Sequence, residues 1–323
     1  MKPRLRLAFS DFWGTFDPAD NYFTGLLGEK YQIELSDRPD FLIYSCFGNR
    51  YRKFRGIRIY YTGENRPPDF SECDFAFSFY FLNHPNHFRL PVYALHYRRN
   101  QPPIKQNDVD PRALLAENRR FCNFVYSNKY CAQRNRFFRE LSKYKQVDAG
   151  GRMYNNVGGR VPDKLEFIRN YKFTIAFENE SCPGYTTEKI YEPMLVNSLP
   201  IYWGNPLVHL DFNPASFLNF YDHGSYEALV ERVIEVDRND ELYCQYMRQP
   251  WLHHNRGNEY TDRQNILAQF DRIFSSTAKP VARQRRIHRF LLIDQTRREA
   301  RNWKRKLIRK ARNVRYHFDR LWT

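Results

Sequence analysis

The sequence predicts an α/β protein of two facing, doubly wound, Rossmann-like halves with a cleft between them, followed by a basic amphipathic helical tail. Three observations predict it. Short aromatic and β-branched runs alternate with helical stretches, the order that gives parallel strands joined by right-handed crossovers. The alternation is interrupted once, by a polar segment containing Pro102, Pro103 and Pro111, and then restarts. One stretch, Tyr171 to Pro206, collects polar residues where a buried strand meets a helix, the edge at which open α/β sheets bind ligands.

The first half, residues 1–100, opens with a strand at 5–9 (LRLAF) that ends in Asp11-Phe12-Trp13-Gly14. A helical stretch around Tyr22 to Lys30 follows, then strands near Gln32 to Leu35, Phe41 to Phe47, 57–61 (IRIYY) and 74–81 (DFAFSFYF). Residues 101–116 read as a linker. The second half, residues 117–275, has strands at Phe121 to Ser127 and Gln146 to Asp148, with a helix at Arg134 to Lys143 between them. A Gly150-Gly151 turn and a helix at Pro162 to Arg169 lead into the Tyr171–Pro206 stretch. Within that stretch come a strand, Phe173 to Phe177, a helix from about Thr187 to Ser198, and a strand, Leu199 to Trp203. A strand near Phe217 to Phe220 and a helix from Ser225 to Asp237 complete the half. In residues 276–323, Ala300, Trp303, Leu307, Ala311, Val314, Phe318 and Leu321 recur every three or four positions, one stripe of a helix.

With 323 residues, 42% hydrophobic and 17% aromatic, the chain can bury two cores. Its net charge of +16 is unevenly placed: residues 279–323 hold sixteen Lys/Arg against three Asp/Glu. The other 278 residues hold 36 against 33 and are nearly neutral, which argues against a nucleic-acid-binding body. The six cysteines have no ligand-like spacing, so free thiols in a reducing compartment are expected. No apolar run approaches the roughly 20 residues needed to span a bilayer.

Several residues could carry chemistry. Glu64 lies just past a strand end, behind Gly63, where a carboxylate serves as a general base or, more plainly, as a solvated loop acid. Lys189 and Arg134 each begin a helix of the second half. Either can meet a phosphate, and either can be an ordinary surface charge. Lysine in a first helical turn opposes the macrodipole, so a negative group is expected beside it. Glu178, Asn179, Tyr185 and Glu188 cluster around the same junction. Gly151 and Arg152 form a second candidate turn, with no GxGxxG context. Asp108-Val109-Asp110 follows a linker rather than a strand, and His84, His87 and His96 lack a completing ligand and read as loop and surface histidines, so no metal site is expected. P-loop, GxSxG and HExxH motifs are absent.

The runs YKFTIAFEN, GYTTEKIYE and LPIYWGNP resemble the signature of the α-1,3/4-fucosyltransferases, particularly the bacterial members. The FWG after the first strand and YYTGEN at 60–65 fit as well, so the resemblance covers about residues 4–275. It implies a GT-B fold and inverting transfer of fucose from GDP-fucose to an N-acetyllactosamine-type acceptor. The general base falls on Glu64 and donor binding on Arg134, Asn179, Tyr185, Glu188 and Lys189. Trp13, Gly14, Glu178, Gly151 and Arg152 are further cleft candidates. No cofactor is required if the cations suffice, although stimulation by a divalent metal stays open. Thr186 stands where relatives often have valine, and Pro193 falls inside the signature helix. The basic tail resembles the membrane-surface segment of that group, which implies an anionic membrane surface as partner, on the cytoplasmic face of a bacterial inner membrane. No nucleic-acid partner is expected. Competing readings are a GT-B transferase for another nucleotide sugar and a non-catalytic, basic-tailed module that binds membrane or nucleic acid.

Overall fold

The computed structural model describes residues 1–95, 104–105 and 110–284. The first half contributes β1 (Arg4–Ser10), β2 (Gln32–Leu35), β3 (Phe41–Tyr44), β4 (Ile57–Thr62), β5 (Phe75–Ser78) and β6 (His87–Arg89). They form one all-parallel sheet in the order β2-β1-β3-β4-β5-β6. The second half contributes β7 (Arg120–Phe124), β8 (Val147–Ala149), β9 (Tyr171–Phe177), β10 (Leu199–Trp203) and β11 (Leu218–Asn219), parallel in the order β11-β10-β9-β7-β8. The interior strands β4, β5 and β10 are buried at every position, Arg58 of β4 included, as helices on both faces of a parallel sheet require.

The strand order reverses between β1 and β3 in the first sheet and between β7 and β9 in the second. Crevices open at such switch points, beyond the carboxyl ends of the strands. The Phe12–Trp13 loop follows β1 and Phe47 follows β3. Among the described residues the helices are, in chain order, α1 (Tyr22–Leu27), α2 (Pro111–Ala116), α3 (Ala132–Ser142), α4 (Lys164–Arg169), α5 (Glu188–Leu195), α6 (Tyr226–Arg238), α7 (Asp240–Arg248), α8 (Arg263–Phe274) and α9 (Val281–Gln284). In the second sheet, α3 follows β7 and α5 follows β9.

The two halves are clasped by a buried ion pair. Arg89, at the end of β6, donates from Nη1 and Nη2 to the two carboxylate oxygens of Asp211 at 2.7 and 2.6 Å. Gly184 presses against the Phe79 carbonyl, where a Cβ would collide, and its φ of +85° is a conformation that glycine tolerates.

Several expectations need correction. The linker contains a helix, α2 (Pro111–Ala116), capped by the Asp110 side chain, which accepts from Arg112 N at 3.0 Å. Asp108, Val109 and His96 lie outside the described residues, as do positions 300–321 of the tail. The signature helix stops at Leu195 rather than Ser198, because Asn197 turns left-handed at φ +55° and closes it. β6 was not expected as a strand, and His87 lies on it instead of in a loop. The second half does not run to residue 275 as one packing unit. Its last helix, α8 (Arg263–Phe274), lies on the first sheet, with Phe270 stacked on Phe77 at 4.6 Å and edge-on to Phe23 at 6.1 Å. Behind it, α9 (Val281–Gln284) is tied to the same half by Val281 N, which donates to Asp74 at 2.7 Å. Among the described residues, no helix is long and apolar enough to cross a membrane.

Candidate active site

A cleft of about 490 Å³ lies between the two sheets. Phe12, Trp13, Phe16, Phe47 and Glu64 line it from the first half, and Asn179, Tyr185, Thr187, Glu188 and Lys189 from the second. Five of the six principal candidates thus meet in one cavity, although more than a hundred residues separate Glu64 from the rest.

Glu64 stands on the turn after β4, where its N–H donates to Thr62 Oγ1 at 3.0 Å. Its carboxylate is exposed to the cleft and makes no hydrogen bond or ion pair among the described residues. Trp13 and Phe47, 45% and 51% exposed, stand edge-to-face on the same wall at 6.2 Å. Exposed aromatic faces beside a carboxylate suit the C–H face of a sugar.

On the opposite wall, Thr187 caps α5. Lys189 Nζ is 3.0 Å from Glu178 Oε2, 2.9 Å from Thr187 Oγ1 and 3.7 Å from Glu188 Oε1. The negative group expected beside this lysine is therefore already in the protein, as Glu178. Burial opposes the charged lysine, but Glu178 and Glu188 overcome it and hold its pKa well above the ordinary value. Burial pushes the Glu178 carboxyl up, against the pull of Lys189. Tyr185 is buried beside them, its ring 4.9 Å from that of Phe79 of the other half.

Arg134 does not reach the cleft surface. It is wholly buried, with its guanidinium 3.9 Å over the Tyr126 ring, donating to Asn179 Oδ1 at 3.0 Å and Asn128 O at 2.6 Å. It stands behind Asn179, which does line the cavity, and its Nε alone lacks a partner. Gly14 and Arg152 are exposed and are not on the cleft wall. Gly151 is not there either; it packs backbone to backbone on Tyr126, leaving no room for a Cβ. Tyr126, Phe47 and the Arg89–Asp211 pair escaped sequence reasoning. Only Tyr126 carried a signal, as a tyrosine near the end of the strand expected at Phe121 to Ser127, just before the helix expected from Arg134. No group of three or more His, Cys, Asp or Glu side chains is placed to hold a metal among the described residues.

The sequence matches the profile described as glycosyltransferase family 10 (fucosyltransferase) C-term over residues 115–290. The chain belongs to this family. The profile of the α-(1,3)-fucosyltransferase FucT N-terminal domain matches residues 7–96, so each wall of the cleft falls inside a region that matches a fucosyltransferase profile. The α-(1,3)-fucosyltransferase FucT of Helicobacter pylori is 30% identical over 300 residues, covering 80% of this chain and 62% of the relative. α-(1,3)-Fucosyltransferase B of Drosophila melanogaster is 36% identical over 129 residues, 39% of this chain and 26% of the relative. The chain therefore spans less than two thirds of the curated relatives it matches. A crystal structure of an α1,3-fucosyltransferase superposes with a TM-score of 0.76 at 27% identity, covering 87% of this chain and 92% of the other. A crystal structure of an α1,3-fucosyltransferase with GDP-fucose gives 0.72 at 26% identity, covering 86% and 92%. The two-sheet arrangement is thus the GT-B fold.

Proposed function

We propose that this family-10 protein is an inverting α-1,3-fucosyltransferase that moves L-fucose from GDP-fucose to the N-acetylglucosamine of an N-acetyllactosamine-type glycan. One observation carries the reading: an unpaired carboxylate, Glu64, shares a cleft with a helix start that presents a lysine ammonium. The crystallised α1,3-fucosyltransferase with GDP-fucose supports the donor assignment.

In this reading the acceptor hydroxyl gives its proton to Glu64 as its oxygen attacks fucose C1. The bond from C1 to the diphosphate oxygen breaks on the opposite face, which inverts the anomeric centre. Lys189 and the positive end of the α5 dipole stabilise the charge that collects on departing GDP. Arg134 fixes Asn179 from behind, and Glu188 and Tyr185 bound the donor. Trp13 and Phe47 supply an apolar face for the acceptor. An α-1,4 linkage on a type 1 chain would use the same groups, and a lipopolysaccharide or capsular glycan is the natural class of acceptor.

Glu64→Ala is expected to lower transfer by about 10²–10⁴ while GDP still binds. Product formation from GDP-fucose and N-acetyllactosamine, followed beside GDP titration calorimetry, checks it. Normal turnover in the variant removes the proposed base.

The charge of residues 279–323 supports a place on an anionic surface, the cytoplasmic face of a bacterial inner membrane, because each basic residue near such lipids contributes about 1 kcal/mol. Ending the chain at Gln284 is expected to abolish flotation with phosphatidylglycerol vesicles and to spare transfer to a soluble acceptor. Undiminished flotation of the shortened chain overturns this assignment.

A further inference from the structure

We infer that Glu178 is a positioning residue for donor binding, whose buried carboxylate holds the Lys189 ammonium in the cleft and keeps it charged toward a diphosphate. The inference rests on the donor-site reading above and adds to it a residue that acts through Lys189.

Glu178 directly follows β9 and is fully buried. Its N–H extends the sheet ladder to Trp203 O at 2.8 Å, which fixes the backbone. Oε1 accepts from Thr187 N at 2.7 Å, and Oε2 accepts from Lys189 Nζ at 3.0 Å, with the Thr187 hydroxyl within reach of both oxygens. Room for the side chain comes from Gly204, just past β10. A Cβ there would strike Glu178 Cβ and Cγ, and the residue's φ of +152° suits glycine.

Capping of α5 does not explain a carboxylate at this depth. Thr187 already caps the helix, and a buried charge costs several kcal/mol unless it is paired. What the carboxylate adds is specific to Lys189. The ammonium has three hydrogens. One goes to Glu178 and one to Thr187 Oγ1, while Glu188 at 3.7 Å lies beyond hydrogen-bond reach. The third is left for a ligand in the cleft that Lys189 lines.

The groups around the ammonium come from every packed element. They are Glu178 after β9, Glu188 on α5, Tyr185 before it, Tyr126 after β7 with Arg134 beneath, Cys131 at the start of α3, and Glu64 across the cleft. Among these, Glu178 does most to keep the buried ammonium protonated. Without it the ammonium loses its nearest counter-charge, burial is opposed only by Glu188 and the tyrosines, and its pKa falls.

The test is the donor KM of the full-length protein against pH. In the parent it stays flat from pH 7 to 9. In Glu178→Gln it is expected to climb with pH, by about tenfold per unit above the shifted lysine pKa, as one proton is lost. Glu178→Gln/Lys189→Arg restores a flat profile, because arginine keeps its charge. A purely structural role would lower the melting temperature and leave the profile flat in every variant, and that result overturns the inference. Should Glu178→Gln not fold, Glu178→Asp draws the carboxylate back from Lys189 and must raise the donor KM with kcat less affected; an unchanged KM overturns it equally. Lys189→Met separates the two levels. If it leaves the donor KM unchanged, the donor-site reading itself fails. If it raises KM tenfold or more while Glu178→Gln behaves as the parent, only the inference about Glu178 fails.

Discussion

His87 shows what burial does to a single side chain in this fold. It lies on β6 with Nε2 2.8 Å from Ser78 Oγ, and burial, helped by the nearby His84 and Arg89, pulls its pKa down to about 4. In the unfolded chain a histidine titrates near 6.5. Between those values the unfolded state binds a proton that the folded state refuses, so stability is complete above about pH 6.5 and is lost as pH falls toward 4. Below that the loss stops growing. Urea unfolding at half-unit steps from pH 7 to 4 is expected to show this decline, and His87→Gln to remove the part of the slope owed to one proton. An identical slope in His87→Gln would mean that other groups carry it. The sequence reading placed this histidine in a loop because HFR is too short and mixed to announce a strand; parallel pairing of Phe88 with Phe77 makes it one. At the same scale, Lys189 was conspicuous because lysine opposes the macrodipole of the helix it begins. Its partner Glu178 was visible only as part of the same polar cluster. Nothing in residue spacing distinguishes a carboxylate that faces a ligand from one that faces a lysine.

Elements were legible where hydrophobic patterning is strong and ambiguous where tertiary packing decides. The runs rich in aromatic and β-branched residues at β4, β9 and β10 announced interior parallel strands, and each forms within one or two residues of its expected bounds. The end of α5 was misjudged by three residues. Patterning continues through Val196, but Asn197 takes the left-handed conformation and Ser198 N turns back to the Pro193 carbonyl. The helix in the expected linker was hidden by its prolines. Pro111 is a helix starter there, occupying the first position behind the Asp110 cap. α8 is not among the helices the sequence announces, and no sequence rule would assign it to one sheet or the other. Its apolar stripe, Ile266, Leu267, Phe270 and Ile273, finds its cavity against Phe23 and Phe77 of the first half. A return crossing of this kind is a property of the assembled chain. For the active site the consequence is direct: the first half, which holds Glu64, is finished only when residues from the far end of the chain cover it.

The whole molecule depends on how firmly the halves are clasped, since the proposed base and the donor site lie on opposite walls. Arg89 and Asp211 form the clasp at a depth where neither side chain exceeds 4% exposure. The guanidinium also donates from Nε to Phe79 O at 3.1 Å, reaches Gly184 O at 3.4 Å and lies 4.2 Å over the Phe81 ring and 4.6 Å over that of Tyr260. Removing one member of a buried pair strands the other charge, so Arg89→Met is expected to cost about 3–5 kcal/mol in urea unfolding. Arg89→Met/Asp211→Leu removes both charges and is expected to recover most of that loss, short of what the Phe79 and Gly184 carbonyls forfeit. The recovered protein then separates stability from alignment. Gly184 directly precedes Tyr185 on the donor wall, so a folded double variant should still show a raised donor KM with its melting temperature near that of the parent. A single variant within 1 kcal/mol of the parent would show that the apolar contacts across the interface, such as Tyr93 against Phe212 at 4.9 Å, hold the halves without it.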